Sequence, residues 1–220
     1  MRLILLGPPG GGKGTQANLL ASRNSLEHIS TGDLLRDAIR KGTPTGLRVK
    51  PLVEAGKLVP DELVNALIAE RFDRPDRPSG FIMDGYPRTL AQASAFDQVL
   101  SKYNLGLTGV VLLNVDEKEI VERITGRLTC PNCKATYHVK TNPPRVAGIC
   151  DVCGTKLEQR RDDSPATVRD RLEAYHRETE ELIPYYREKG LLREVCGQGD
   201  IETIYQKMMA VLQPQVGSSC

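Results

Sequence analysis

Short apolar runs alternate along the chain with longer stretches of helical period. Arg2-Leu-Ile-Leu-Leu6 is unbroken in its apolar character after the first residue, meets glycine at once, and is followed by a helical stretch from Lys13 to about Ser22. That is a strand, a loop and a helix. Leu26 to Ile29 predicts a second strand, Asp33 to Lys41 a helix, Asp61 to Phe72 another helix, and Phe81-Ile-Met-Asp84 a strand. Thr89 to Lys102 reads as helix and Gly109 to Val115 as a strand covered on both faces, because its apolar run has no polar alternation. Asp116 opens the next helix, with Glu119 three residues on in capping-box spacing. Ser164 is an N-cap with Pro165 at the first helical position, leading a helix through Glu180 that Pro184 ends or kinks. A strand from Leu191 to Cys196 and a helix from Ile201 to Leu212 complete the series. Strands interleaved with helices predict an α/β fold: a parallel sheet with helices on both faces.

Two stretches break the rhythm. From Leu128 to Asp163 there is no helical period, and four cysteines sit among Gly, Pro, Asn and Asp, as in an inserted subdomain. Between Ser30 and Phe72 helical stretches follow one another with no strand between them, a second candidate insertion.

Composition narrows the function. With 220 residues the chain suits one well-packed domain with insertions. Thirty Lys and Arg against 28 Asp and Glu leave a net charge of +2, so no global field draws it to nucleic acid or to a membrane surface, and any anion site must be local. The N-terminal apolar run stops at Gly7-Pro-Pro9, short of a signal core or a membrane span. A cytoplasmic location is expected. In that setting six cysteines argue for metal binding before a disulfide framework.

The chemistry starts at Gly7-Pro-Pro-Gly-Gly-Gly-Lys-Gly-Thr15, directly after a strand and directly before a helix. Side-chain-free residues let successive backbone N–H groups curl around a phosphate, the helix N-terminus adds its positive end, and Lys13 supplies a point charge. A glycine-rich turn that binds nothing is the competing reading. Asp84, closing the strand Phe81–Asp84, could hold Mg²⁺ through water, with a plain helix cap as the alternative. Arg36, Arg88, Arg123, Arg127, Arg160 and Arg171 lie at the edges of predicted elements, where several could converge on one cleft; solvated helix faces are the bland alternative. Cys130-Pro-Asn-Cys133 and Cys150-Asp-Val-Cys153 form the paired turns of a tetrahedral, structural Zn²⁺ site, with a disulfide or idle thiols as the alternative. Cys196 is expected to be a buried strand residue and Cys220 a tail thiol.

Taken in order, several pieces resemble an adenylate kinase of the long form, from about Arg2 to Leu212. They are the glycine loop through Gln16, Ser30-Thr-Gly-Asp33, Asp84-Gly-Tyr-Pro-Arg88, Gly126-Arg127, and Arg160-Arg-Asp-Asp163 with Thr167-Val-Arg-Asp-Arg171. The resemblance implies a core phosphate-loop domain of residues 1–30, 61–126 and 165–220, an AMP-binding insertion at 31–60, and a zinc-binding lid at 127–164. It implies reversible phosphoryl transfer from Mg-ATP to AMP, giving two ADP. ATP would be held by Gly10, Gly11, Gly12, Lys13, Gly14, Thr15, Arg123, Arg127, Tyr137 and Gln198. AMP would be held by Thr31, Arg36, Lys57, Val59, Gly85, Arg88, Gln92, Arg160 and Arg171. Lys13, Arg88, Arg123, Arg160 and Arg171 would act on the phosphoryl group in flight, Asp84 would organise Mg²⁺, and Asp162 and Asp163 would belong to the hinge and lid. The acceptor is already an anionic phosphate oxygen, so no general base is needed, and His28, His138 and His176 carry no required catalytic role. A monomer with no nucleic-acid or membrane partner is implied.

Two departures stand out: Gly11 where a small side chain is expected, and Tyr86 where Phe is commoner. Neither removes a charge. A kinase for another nucleoside monophosphate is the rival within the enzyme class. A zinc-ribbon nucleic-acid binder is the rival outside it, and it has no account of the glycine loop.

Overall fold

The computed structural model describes residues 1–213; the predicted tail thiol Cys220 lies outside them. The central sheet holds β1 (Arg2–Leu6), β2 (Glu27–Ser30), β3 (Phe81–Asp84), β4 (Gly109–Asn114) and β7 (Leu192–Cys196) in the order β2-β3-β1-β4-β7, every neighbouring pair parallel. Side chains of β1 alternate between two cores. Ile4 and Leu6 join Met83, Val110 and Leu112 under α4 (Asp61–Asp73), α5 (Leu90–Lys102) and α8 (Leu182–Glu188), where Phe72, Phe81 and Phe96 meet edge to face. Leu3 and Leu5 join Ile82, Val111 and Leu113 under α1 (Lys13–Asn24) and α9 (Ile201–Leu212). Each fully buried Leu, Ile or Phe contributes about 1.5–3 kcal/mol of transfer free energy. The sheet is thus an α/β sheet covered on both faces, and its strands all end at one edge, where Gly7, Ser30 and Asp84 face a common cleft.

Several helices differ from the sequence reading. Between β2 and α4 lie α2 (Thr31–Arg40), capped by Ser30, and α3 (Pro44–Glu54), capped by Thr43, with Pro44 in its first turn. The two pack so closely that a Cβ on Gly46 would stand 2.1 Å from the Ala38 carbonyl oxygen, a contact only glycine permits. In α6 (Glu117–Thr125) Asp116 caps Lys118 N–H at 2.9 Å, while Glu119 pairs forward with Arg123 at 2.7 Å and forms no capping box. The predicted helix from Pro165 to Glu180 is α7 (Pro165–Ala174) followed by one wide turn at Tyr175–Thr179. The helix breaks at residues 180–181, where Pro184 has no N–H to offer the Glu180 carbonyl, and resumes as α8 with Pro184 as its third residue, a position that needs no intrahelical N–H.

Residues 127–163 form a small separate layer on β5 (Arg127–Thr129) and β6 (Thr136–His138), antiparallel, with a core of only Cys130, Tyr137, Cys150 and Leu157 against Leu128 and Ala135. Cys196 is in a strand, as expected, but exposed: β7 is the edge strand and only its Val195 is buried. Among the described residues no helix is long and apolar enough to cross a membrane.

Candidate active site

The glycine loop closes over the C-terminal end of β1. Gly10 has φ +76°, and a Cβ there would stand 2.7 Å from the Ile124 side chain, so α6 packs directly on the loop. Gly12, also left-handed, caps α1 and leaves the first N–H groups of that helix turned to the cleft. Lys13 Nζ donates to the carbonyls of Gly7 and Pro8 at 2.6 and 2.7 Å. Burial pushes its ammonium down to about 8; the Asp84 charge opposes this, and Arg88, Arg171 and Arg127 add to it. The Asp84 carboxylate lies against Gly14 and is met at 3.3 Å by His28 Nε2, whose other ring nitrogen is 2.7 Å from Asn18 Oδ1. Burial pushes Asp84 up, but the His28 hydrogen bond and the His28, Lys13 and Arg88 charges outweigh it and hold the carboxyl below its usual range.

Lys13 and six arginines line one cleft of about 330 Å³. Arg36 rests on Asp33 at 2.8 Å, Arg88 Nε donates to the Gly85 carbonyl at 2.9 Å, and Arg123 reaches Glu119 and the Gly197 carbonyl. Arg127 holds Asp163 with both arms of its guanidinium, Arg160 donates to Thr129 Oγ1 at 3.2 Å, and Arg171 sits 3.1 Å from Asp162. Burial pushes Arg160 and Arg171 down to about 10, and neighbouring arginines push the same way. Such crowding disfavours the cationic forms unless anions enter among them.

The adenylate kinase family model matches residues 5–191. The chain belongs to the adenylate kinase family. Its relatives include the adenylate kinases of Desulfitobacterium hafniense, 47% identical, and Archaeoglobus fulgidus, 48% identical, each aligned over 97% of this chain and 98% of the relative. The adenylate kinase of Geotalea daltonii is 50% identical over 97% of this chain and all of the relative.

Against this family background the cleft gathers nearly every residue picked out in the sequence. Gly10 to Thr15, Asp84, Gly85, Arg36, Arg88, Arg123, Arg127, Tyr137, Arg160 and Arg171 line it, and Thr31, Lys57, Val59 and Gln92 line its extension beside α2. Thr31 Oγ1 donates to the Gly85 carbonyl at 2.7 Å. Gln198 is the exception: it is exposed, and its neighbours Gly199 and Ile201 line the cleft in its place. Sequence reasoning gave His28 no required catalytic role, and the structure hydrogen-bonds it to Asp84; it passed over Asp61, which is hydrogen-bonded to Gln92. Neither lies in a glycine or arginine motif that could have flagged it.

The four cysteines meet. Their Sγ atoms all lie within 4.8 Å of one another, with Cys130 to Cys153 and Cys133 to Cys150 at 3.4 Å. An S–S bond is about 2.05 Å long, so these are thiols. The spacing approaches the ~3.8 Å edge of a tetrahedron with ~2.3 Å metal–sulfur bonds, so the set fits a metal ion. The two turns are near copies: Lys134 N–H bonds the Cys130 carbonyl and Gly154 N–H the Cys150 carbonyl, both residues at positive φ. Across the cleft, Lys134 pairs with Asp37 at 2.6 Å, Arg40 donates to the Pro131 carbonyl at 2.8 Å, and Arg161 pairs with Glu54 at 3.2 Å.

Proposed function

We propose that this cleft binds ATP over the glycine loop and AMP over α2, and moves a phosphoryl group reversibly between them to give two ADP. The observation that carries the reading is the gathering of Lys13 and six arginines in one cleft with fewer carboxylates than cations. Several phosphates placed there neutralise them, and guanidinium forks fit phosphate oxygens.

Gly10 to Thr15 would cradle the ATP phosphates with backbone N–H groups, and Lys13 would leave the Gly7 and Pro8 carbonyls to reach them. Arg36 and Arg88 would hold the AMP phosphate, with Thr31, Lys57, Val59, Gly85 and Gln92 around the nucleoside. Arg123, Arg127 and Tyr137 would flank ATP, while Arg160 and Arg171, reaching both sides, would follow the phosphoryl group across. The attacking oxygen is already anionic, so positioning and charge neutralisation suffice. Mg²⁺ accompanying ATP supplies further neutralisation, and Asp84 is the carboxylate that would hold its waters. Residues 31–60 act as the AMP insertion and 127–164 as a lid; the Lys134–Asp37 and Arg40–Pro131 contacts support their meeting over the substrates, which keeps water from the phosphoryl group. Cys130, Cys133, Cys150 and Cys153 would hold one structural Zn²⁺, with no open position for substrate.

A coupled assay offering ATP with AMP, UMP, CMP or GMP tests the reading. ADP formation should depend on AMP. ATP consumption indifferent to the monophosphate would overturn it.

A further inference from the structure

Asp61, the first residue of α4, belongs to no motif, yet it holds the one side-chain amide that lines the AMP-side pocket among the described residues. Its Oδ1 accepts from Gln92 Nε2 at 2.7 Å and its Oδ2 from the Thr89 hydroxyl at 2.6 Å. On the other side of the same amide, Gln92 Oε1 accepts from the Arg88 backbone N–H at 2.8 Å. Thr89 in turn caps Gln92 N–H at 3.1 Å. Gln92 is 2% exposed. Turning its amide over would set the NH₂ against the Arg88 N–H and the carbonyl oxygen against the Asp61 carboxylate, losing two buried hydrogen bonds and creating two repulsions. The amide therefore has one orientation. One Oε1 lone pair and one Nε2 hydrogen remain for a ligand.

We propose that Asp61 is a specificity-determining positioning residue: by fixing the Gln92 amide it makes the pocket accept a base edge with an amino group beside an unprotonated ring nitrogen, and reject the inverted edge. This rests on the reading that Gln92 faces the base of the acceptor nucleotide. Adenine and cytosine carry the accepted pattern. Hypoxanthine, guanine and uracil carry a carbonyl beside a ring N–H, which would need the forbidden amide orientation. IMP matches AMP in size and differs only in that edge, so the pair isolates the effect. CMP is an internal control, since its rejection would come from ring size and owe nothing to Asp61.

Asp61→Asn keeps the shape but offers Gln92 either an acceptor or a donor, so the inverted amide is opposed by the Arg88 backbone N–H alone and becomes accessible to a ligand that pairs with it. The AMP-to-IMP ratio of kcat/KM should fall about tenfold or more, because mispaired polar edges carry most of such discrimination. The AMP-to-CMP ratio and the KM for ATP should hold. Asp61→Ala should do the same. If both variants lower melting temperature and the use of all monophosphates together, with the AMP-to-IMP ratio intact, Asp61 is merely structural and the inference is overturned. Gln92→Ala separates the two levels. An unchanged AMP-to-IMP ratio in that variant overturns the base-reading assignment itself, and the inference with it; a collapsed ratio there beside an intact one in the Asp61 variants overturns the inference alone. The wild-type protein gives an independent measurement: ¹⁵N NMR should show one set of Gln92 side-chain amide signals without AMP, and two sets would refute the fixed orientation.

Discussion

Asp163, its side chain wholly enclosed, takes the Arg127 guanidinium in a two-armed hydrogen bond, Nε to Oδ2 at 2.9 Å, and so ties the first residue of the 127–163 segment to its last. Arg171, from α7, lies 3.6 Å from the same carboxylate. Removing one partner from such a buried set leaves the others uncompensated, which costs about 3–5 kcal/mol. Asp163→Ala should therefore lower the denaturant midpoint by that equivalent and reduce turnover, whereas Asp163→Asn, which keeps one acceptor, should cost less. A stability change below about 1 kcal/mol, the scale of an exposed pair, would contradict the role.

Arg88 tests the acceptor side. It is half-buried, holds the Gly85 carbonyl at 2.9 Å through Nε, and leaves its Nη groups to fork an AMP phosphate. Losing two charge-assisted hydrogen bonds at about 1.5 kcal/mol each would weaken AMP binding roughly a hundredfold, with ATP binding little changed. Calorimetric titration of Arg88→Ala with each nucleotide measures both; unchanged AMP affinity would remove Arg88 from the site.

The cysteine cluster predicts a dependence on metal. Leu157 and Tyr137 with two of the cysteines make too small a core to hold the 127–163 segment alone. Zinc bound only to the folded segment stabilises it by linkage. Mercurial release of the proposed zinc should lower the melting temperature, while activity persists below the temperature at which the metal-free 127–163 segment melts, since a shell of four thiolates leaves no position open to substrate. Atomic emission should find about one zinc per chain. Complete loss of activity with the lid still folded would make the metal catalytic.

Lys13 gives the pH dependence. Burial pushes it down to about 8, so between that value and the ordinary lysine value near 10.4 the unfolded chain binds more protons than the folded one. Stability contributed by this group rises as pH increases through that window; below about 8 it is a constant cost. ATP binding has the opposite sign, because only the ammonium form attracts phosphate. ATP affinity of the ligand-free protein should fall as pH is raised from about 7 to about 9.5, and Lys13→Arg, which stays charged, should flatten the profile. A flat profile in the wild type would contradict the shift.

Much of the fold was legible because the sheet is buried on both faces. β1 and β3 emerge at their predicted bounds, since a continuous apolar run between glycine and charge admits one reading. Where the physics is tertiary, the sequence was silent. α3 carries Pro51 in its interior and packs through Gly46 onto α2, features that argue against a helix until the neighbour is seen. The wide turn at Tyr175–Thr179 has no breaker residue. Cys196 was expected to be buried because free cysteines usually are, but it stands exposed on β7, the edge strand of the sheet. In the site, the glycine loop was readable from spacing alone, whereas the convergence of Arg36, Arg88, Arg123, Arg127, Arg160 and Arg171 needed either the family resemblance or the coordinates. Gln198 was carried over on resemblance and points to solvent, while Asp61 speaks only through Gln92, 31 residues away.

The most direct test of phosphoryl transfer between two nucleotides is ³¹P NMR of the protein with Mg²⁺, AMP and ATP labelled with ¹⁸O on the γ-phosphate. AMP and ATP should disappear together with the label arriving at the β-phosphate of newly formed ADP, and ADP supplied alone should yield ATP and AMP. Label appearing in inorganic phosphate at a rate indifferent to AMP would show that the cleft hydrolyses ATP, and would contradict the account at its centre.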